Sequence, residues 1–193
     1  MAFVGGLLKN NKEQQELARL INENRRPIIL CTGNAGAGKT FAALAVALQL
    51  QSERRYRHVV YGRNPMPLGE DMGFLPGGLD EKYGPYMGPL YDNLEAIASL
   101  SNENLNPKEL AQRIEMVPIA FLRGRSFRDT ILIIDEAQNL DLSALKAILT
   151  RIGDYSKVVL LGSMNQIDDP KQRKQAKCDF EKVIDAIQDL PYV

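Results

Sequence analysis

The sequence predicts an α/β fold in which a parallel sheet is covered by helices on both faces. Short, continuous apolar segments recur along the chain, and such segments are typical of strands buried on both sides. Segments with helical spacing of apolar residues lie between them, and a glycine-rich turn follows the first strand. Alternation of strands and helices favours parallel pairing with right-handed crossovers.

The first half of the chain begins with a polar helix. Leu17, Leu20 and Ile21 share one face of this helix, and Pro27 is expected to end it. The alanine- and leucine-rich segment after the glycine-rich turn predicts a second helix. The expected elements are a helix over 11–24, a strand over 28–31, a helix over 41–50 and a strand over 59–61. Residues 62–90 are rich in glycine and proline, and a loop this long inside a compact domain favours a functional role.

The second half of the chain contains two helix starts with clear capping signals. Asn106 precedes Pro107, which suits the first helical position, and Asp141 is a good N-cap. Apolar residues at helical spacing after Asp141 predict an inward face; they are Leu142, Leu145, Ile148 and Leu149. The expected elements are helices over 90–100, 107–114 and 141–151, strands over 115–117, 131–134 and 158–161, and a last amphipathic helix with Phe180, Val183, Ile184 and Ile187.

Composition indicates one ordinary soluble domain over residues 1–193. Hydrophobic residues make up 45 % and charged residues 25 %, and the formal net charge is zero. Two distant cysteines and one histidine argue against a disulfide framework, a zinc site and a histidine metal cluster. No apolar run reaches the roughly 20 residues of a membrane helix, and the start lacks the features of a signal peptide. We expect a cytoplasmic protein with no membrane partner.

The glycine-rich turn fits the pattern GxxxxGK[ST] between a predicted strand and helix. The matching residues are Gly33, Asn34, Ala35, Gly36, Ala37, Gly38, Lys39 and Thr40. Glycines allow a tight turn whose N–H groups face phosphate oxygens, and the following helix points its positive end at them. Lys39 is expected to reach the β- and γ-phosphates, and Thr40 to ligate magnesium. The pattern therefore predicts a P-loop that binds ATP with Mg²⁺.

A second segment, which ends in two acidic residues, completes the predicted site. The apolar run 131–134 delivers Asp135 and Glu136 at the end of a strand, where ligands bind in open α/β sheets. We expect Asp135 to hold magnesium, directly or through water, and Glu136 to orient and polarise the attacking water.

Two glutamines are further candidates. Gln166 follows the end of the next strand and is expected to sense the γ-phosphate; a plain turn glutamine is the alternative. Gln14 precedes the first strand at a distance suited to reading the adenine edge; a solvated helix glutamine is the alternative.

These motifs, with GEDMGFLPGGLDEKYGPYMGPLYDNL, PIAFLRGRSFRDTILIIDEAQNL and LTRIGDYSKVVLLGSMNQID, resemble the PhoH-like proteins over nearly the whole chain. The resemblance implies a P-loop NTPase with a RecA-like sheet, similar to one motor core of the superfamily-one helicases. It makes 135–138 the Walker B box and 162–166 the γ-phosphate-sensing motif. The chain departs from the family at Ser163, usually an aspartate, and at Asn64, usually a proline. Neither length nor a second carboxylate cluster supports an added nuclease domain.

Three groups of basic residues are candidates for contact with RNA or single-stranded DNA, and solvated surface charge is the alternative. The groups are Arg54, Arg55, Arg57 and Arg63; Arg123, Arg125 and Arg128; and Lys171, Arg173, Lys174 and Lys177. Three aromatic residues could stack on bases; they are Tyr83, Tyr86 and Phe121.

The leading hypothesis is an oligomeric ATPase motor acting on RNA or single-stranded DNA. An ATP-dependent switch with little turnover is the alternative, and a small-molecule kinase is a weaker one. Because the chain has one motor core, we expect a closed homo-oligomer, a six-membered ring, in which Arg151 reaches a neighbour's γ-phosphate. Arg123 and Arg125 are rival candidates for this arginine, and Arg151 could instead complement its own helix terminus.

Overall fold

A computed structural model describes residues 8, 11–63, 87–101, 104–122, 124–168 and 173–193. The strands are β1 (Ile28–Thr32), β2 (His58–Arg63), β3 (Ile114–Pro118), β4 (Thr130–Asp135) and β5 (Lys157–Gly162). The α-helices are α1 (Lys12–Asn22), α2 (Lys39–Ser52), α3 (Gly88–Leu100), α4 (Pro107–Gln112), α5 (Leu142–Leu149) and α6 (Asp179–Ile187). Short 3₁₀ helices span Ile119–Leu122 and Ala137–Asn139.

The strands of the described residues form one five-stranded, all-parallel sheet in the order β1-β5-β4-β2-β3. Consecutive strands in the chain are therefore often separated in the sheet, and helices make the crossovers. The predicted α/β class and parallel sheet are confirmed. Because every strand points the same way, the residues that follow β1, β2, β4 and β5 meet at one edge.

Alternate residues of the central strands enter two separate apolar cores. Ile131 and Ile133 pack into the core formed with helices α1 to α4. Leu132 and Ile134 pack into the core formed with α5 and α6. Since side chains alternate across a strand, this pattern requires helices on both faces of the sheet, as the sequence predicts.

Helix boundaries follow local capping chemistry. The side chain of Asn11 accepts hydrogen bonds from the backbone N–H groups of Glu13 and Gln14, which fixes the start of α1. Asn106 and Asp141 cap α4 and α5 in the same way, as predicted.

Several predicted boundaries are wrong. Helix α1 ends at Asn22, before Pro27, and α4 ends at Gln112 because Ile114 pairs with β2 as the first residue of β3. Helix α5 ends at Leu149 instead of residue 151. Leu142, predicted to face inward, is 50 % exposed because it begins the helix at the surface. Most of the predicted loop over 62–90 lies outside the described residues.

Within the described ranges, no helix is long and apolar enough to cross a membrane.

Candidate nucleotide-binding site

Most of the predicted site residues converge on a pocket of about 300 Å³ at the carboxyl end of the sheet. Its lining includes Ala35, Gly36, Gly38, Lys39, Thr40, Asn93, Asp135, Glu136, Ser163 and Gln166. The P-loop follows β1, the two carboxylates lie at the end of β4, and Ser163 follows β5 between them. The backbone N–H of Gly33 donates to the carbonyl of Gly162, which anchors the start of the loop to β5.

The P-loop has the backbone geometry that its glycines predict. Gly36 and Gly38 have φ angles of 74° and 76°, in the left-handed region that favours glycine. A Cβ at Gly38 would also lie 2.2 Å from the side-chain nitrogen of Gln14. Helix α2 begins at Lys39, so the N–H groups of its first turn and its positive end face the pocket. The Lys39 ammonium donates to the carbonyls of Gly33 and Asn34 at 2.9 Å each, closing over the loop.

Asp135 is held by three donors at the end of β4. The Thr40 hydroxyl lies 3.2 Å from each of its carboxylate oxygens. The buried Tyr61 hydroxyl donates to Oδ2 at 2.7 Å, and the backbone N–H of Glu136 donates to Oδ1 at 3.1 Å. Burial and the nearby Asp135 charge raise the pKa of Tyr61, so this hydroxyl remains a donor.

The donor set fits a hard divalent cation. Mg²⁺ prefers oxygen ligands in an octahedron at 2.0–2.1 Å, which places neighbouring ligands about 3 Å apart. The separation of 3.2 Å between Thr40 Oγ1 and the Asp135 carboxylate is close to that value. The pocket also holds a hydroxyl that a ligand could engage, because Ser163 Oγ is a buried side-chain atom without a hydrogen-bond partner in the described part of the chain.

Glu136 directly precedes the 3₁₀ helix Ala137–Asn139 and has a strained conformation. Its φ angle is 56°, which is uncommon for a residue with a side chain and occurs mostly where neighbouring structure enforces it. Its Oε2 accepts a hydrogen bond of 2.5 Å from the side-chain nitrogen of Gln138, and its Oε1 lies 3.8 Å from a guanidinium nitrogen of Arg63. The carboxylate is therefore engaged on two sides.

Gln138 connects Glu136 to the segment after β5. Its fully buried amide nitrogen also donates to the carbonyl of Gln166 at 2.8 Å, and its oxygen accepts from the backbone N–H of Ser163 at 2.9 Å. Both ends of one amide are thus satisfied, and they link the carboxylate predicted to activate water to the predicted γ-phosphate sensor.

Comparison with known proteins agrees with this geometry. The family model described as PhoH-like protein matches residues 7–193. The chain belongs to the PhoH-like family. It is 39 % identical over 171 residues to Protein PhoH2 of Bacillus subtilis (strain 168), covering 86 % of this chain and 38 % of that protein. It is 38 % identical over 164 residues to a PhoH-like protein of Mycobacterium tuberculosis (strain H37Rv), covering 84 % of this chain and 45 % of that protein. It is 34 % identical over 167 residues to Protein PhoH of Escherichia coli (strain K12), covering 86 % of this chain and 46 % of that protein.

Membership of the PhoH-like family confirms the P-loop NTPase type of fold, which is a nucleotide-binding fold. The chain spans less than half the length of these three relatives.

The PhoH-like P-loop also contacts residues outside the pocket. Gln14 donates its side-chain amide to the carbonyl of Ala37 at 2.9 Å, so it supports the loop, and its role in reading adenine stays a prediction. Asn34 accepts a hydrogen bond of 3.0 Å from the side chain of Asn165, which ties the loop to the sensor segment beside Gln166.

The structure does not bring Arg151 into the pocket of its own chain. Arg151 is exposed and follows α5. Its carbonyl accepts from the N–H of Phe127, three residues before β4 begins, so it lies at the amino edge of the sheet. Arg125, a rival candidate, is paired with both oxygens of Glu115 at 2.7 and 3.0 Å. Arg123 lies outside the described residues.

The predicted basic cluster that included Arg63 is wrong. Arg54, Arg55 and Arg57 lie before β2, whereas Arg63 ends it, so a whole strand separates them. Arg55 is engaged by Asn22 and Asn24.

In the other two basic groups, several residues form ion pairs with acidic side chains. Arg128 pairs with Asp154, Lys177 with Asp185 and Arg173 with Asp168. Lys171, Tyr83 and Tyr86 lie outside the described residues, whereas Phe121 is 55 % exposed.

Three residues of the site were given no role from the sequence. Tyr61 had one available signal, a hydroxyl-bearing side chain two residues before the end of a buried strand. Gln138 stood inside a recognised motif, but its two-sided bonding depends on the fold. Asn93 reaches the pocket from α3, and nothing in its local sequence indicates this.

Proposed function

We propose that this chain hydrolyses ATP with magnesium and that RNA or single-stranded DNA stimulates the reaction. The observation that carries the proposal is the convergence of the P-loop and the acidic strand end. Thr40 touches both oxygens of Asp135, and Lys39 and Glu136 line the same pocket.

In the proposed reaction, Lys39 leaves its two loop carbonyls for the β- and γ-phosphate oxygens and stabilises the charge that develops there. Thr40 and Asp135 would hold the magnesium ion, which would supply positive charge to neutralise the phosphates. Glu136 orients a water molecule and takes its proton. The water oxygen bonds to the γ-phosphorus, and the bond from that phosphorus to the bridging oxygen breaks. The bridging oxygen leaves with ADP.

The test measures phosphate release and nucleotide binding on the same samples. Lys39→Ala is expected to lose both, because it removes a fixed charge from the phosphate site. Lys108→Ala, an exposed lysine on α4, is the matched control and should behave as wild type. Normal turnover in Lys39→Ala would refute the site assignment.

The polynucleotide part of the proposal is supported by the carboxyl edge beside the pocket. Arg63 ends β2 there, and Phe121, in the 3₁₀ helix after β3, exposes an aromatic ring. Backbone phosphates and stacked bases are the groups that such side chains bind. Phosphate release with and without single-stranded RNA or DNA tests the stimulation.

We also propose that the active form is a head-to-tail homo-oligomer, a six-membered ring. Arg151 is exposed at the amino edge of the sheet, opposite its own pocket, and a head-to-tail neighbour would bring that edge toward the next chain's pocket. Mixing Arg151→Ala chains with Lys39→Ala chains should restore part of the lost activity, because some interfaces pair an intact P-loop with an intact arginine. Full activity of a monomer at high dilution would contradict the ring.

An ATP-dependent switch with little turnover remains the second candidate. It is favoured by Glu136, whose two oxygens are already engaged by Gln138 and Arg63. Nucleotide binding without measurable phosphate release, under every polynucleotide condition, would select the switch.

A further inference from the structure

Arg63 lies beside Glu136, the carboxylate proposed as the general base. In the sheet, β2 lies between β4 and β3, and Arg63 is opposite Asp135 on one side and Pro118 on the other. Its guanidinium reaches past Asp135 to Glu136, with 3.8 Å between Arg63 Nη2 and Glu136 Oε1. Both side chains are only partly exposed, at 24 % and 29 %. Water therefore screens this pair less than it would a fully exposed one.

This contact opposes the proposed role of Glu136 as the general base. A general base needs an oxygen directed at the attacking water. One oxygen of Glu136 takes the Gln138 amide, and the other faces Arg63. The pair is thus a resting arrangement of the site.

Arg63 also lies at the same end of the sheet as the proposed polynucleotide face, because it pairs with Pro118, the residue before the 3₁₀ helix Ile119–Leu122. This 3₁₀ helix carries the exposed Phe121. A single strand whose base stacks on Phe121 would run along this end of the sheet, where Arg63 ends β2. A phosphate group competes well with a carboxylate for a guanidinium.

We infer that Arg63 restrains Glu136 until a backbone phosphate of a bound single strand takes the guanidinium. The inference rests on the proposed polynucleotide-stimulated ATPase, and it assigns the coupling step to one ion pair. Arg63 is a positioning residue, since it acts through Glu136.

Binding without turnover gives the first test. If Arg63 must leave Glu136 in order to bind phosphate, neutralising Glu136 should strengthen polynucleotide binding, because coupling is reciprocal. The Kd of a fluorescent single-stranded RNA is measured without nucleotide for wild type, Glu136→Gln, Arg63→Ala and the double variant. Glu136→Gln should lower Kd about two- to fivefold, the range for partly exposed ion pairs. The same substitution should have no effect in the Arg63→Ala background. Equal effects in both backgrounds, or no binding by any variant, would overturn the inference.

Turnover gives the second test. Arg63→Ala should raise the basal kcat about two- to fivefold and abolish stimulation by RNA. Arg63→Lys keeps the charge, so it should retain part of the low basal kcat and part of the stimulation. Arg19→Ala is the matched control, because Arg19 also pairs with a glutamate but lies on the surface of α1. A merely structural role for Arg63 would lower kcat with and without RNA alike, and this result would refute the inference. If the wild type binds RNA with the expected coupling but releases no phosphate, the proposed hydrolysis fails and the inference stands.

Discussion

Replacing Tyr61 by phenylalanine removes one hydroxyl from the most buried part of the site. Tyr61 is fully buried, and its hydroxyl donates to Asp135 Oδ2 at 2.7 Å. The ring keeps its shape, so no cavity opens, and the loss is that of a hydrogen bond to a charged group. Such bonds contribute roughly 1.5–3 kcal/mol. We therefore expect the free energy of unfolding to fall by this amount.

The loss should be visible in both chemical and thermal unfolding. At about 2–4 °C per kcal/mol for a domain of this size, Tm should fall by roughly 3–12 °C. Urea unfolding without metal or nucleotide gives the free energy, and an unchanged slope against urea would show that compactness is kept. Tyr91→Phe is the control, because Tyr91 is 41 % exposed and its variant should stay within about 0.5 kcal/mol of wild type. A Tyr61→Phe protein as stable as this control would refute the hydroxyl–carboxylate bond.

Three further predictions address the site, its partner and the fold. Glu136→Gln should bind Mg²⁺–ATP but release almost no phosphate, whereas Asp135→Asn should weaken the magnesium-dependent part of nucleotide binding; equal binding defects would contradict the division of roles. RNA binding should weaken with salt, and Arg63→Ala should reduce the slope of log K against log salt by about 0.7 for one lost phosphate contact. Arg125→Ala should change this slope less, because Arg125 is already paired with Glu115. Burial lowers the pKa of Lys157 from 10.5 to about 8. Between these two pH values the unfolded chain keeps the Lys157 proton and the folded chain has lost it. The free energy of unfolding of the wild type should therefore rise with pH over this range, relative to that of Lys157→Met, by up to about 1.4 kcal/mol per pH unit in urea unfolding.

The environment of Lys157 shows why that residue titrates as proposed. Its side chain is 1 % exposed at the amino end of β5. The ammonium donates to the carbonyls of Leu20, Glu23 and Arg26, where α1 ends. These carbonyls partly replace water, and burial still dominates the direction of the pKa shift. In Lys157→Met they would lose this donor, so the variant should be less stable throughout, and only the pH dependence of the difference tests the pKa.

The sheet could be predicted because its signals are local. Each central strand is a continuous apolar run, and both faces must then be covered, which dictates an α/β architecture. The order of the strands could not be predicted in the same way, since it depends on which crossovers the whole chain can accommodate. Boundaries were displaced where pairing competed with helix formation, as at Ile114, which joins β3 because it pairs with Val59.

The geometry of the P-loop could be predicted because the loop is one continuous motif. Glycines, a lysine and a threonine at fixed spacing dictate the loop and the helix that follows. The contacts of Tyr61 and Asn93 depend on distant segments of the chain coming together, and no local pattern encodes them. The basic cluster failed for the same reason, because residues a few positions apart lie at opposite ends of β2.

Glu136 is where control from the nucleotide and control from the partner would meet. Through Gln138, one carboxylate oxygen is connected to Ser163 and Gln166, which line the pocket where the γ-phosphate would lie. The other oxygen faces Arg63. Because Gln138 satisfies both ends of its amide, a shift of the sensor segment on phosphate loss must either move the amide or break one of its bonds. Either change alters the position of Glu136, and an arginine from a neighbouring chain would instead act on the phosphate. In the proposed scheme, hydrolysis by this chain would depend on the Arg63 and Gln138 contacts for the timing of the step, and on the neighbour for its rate.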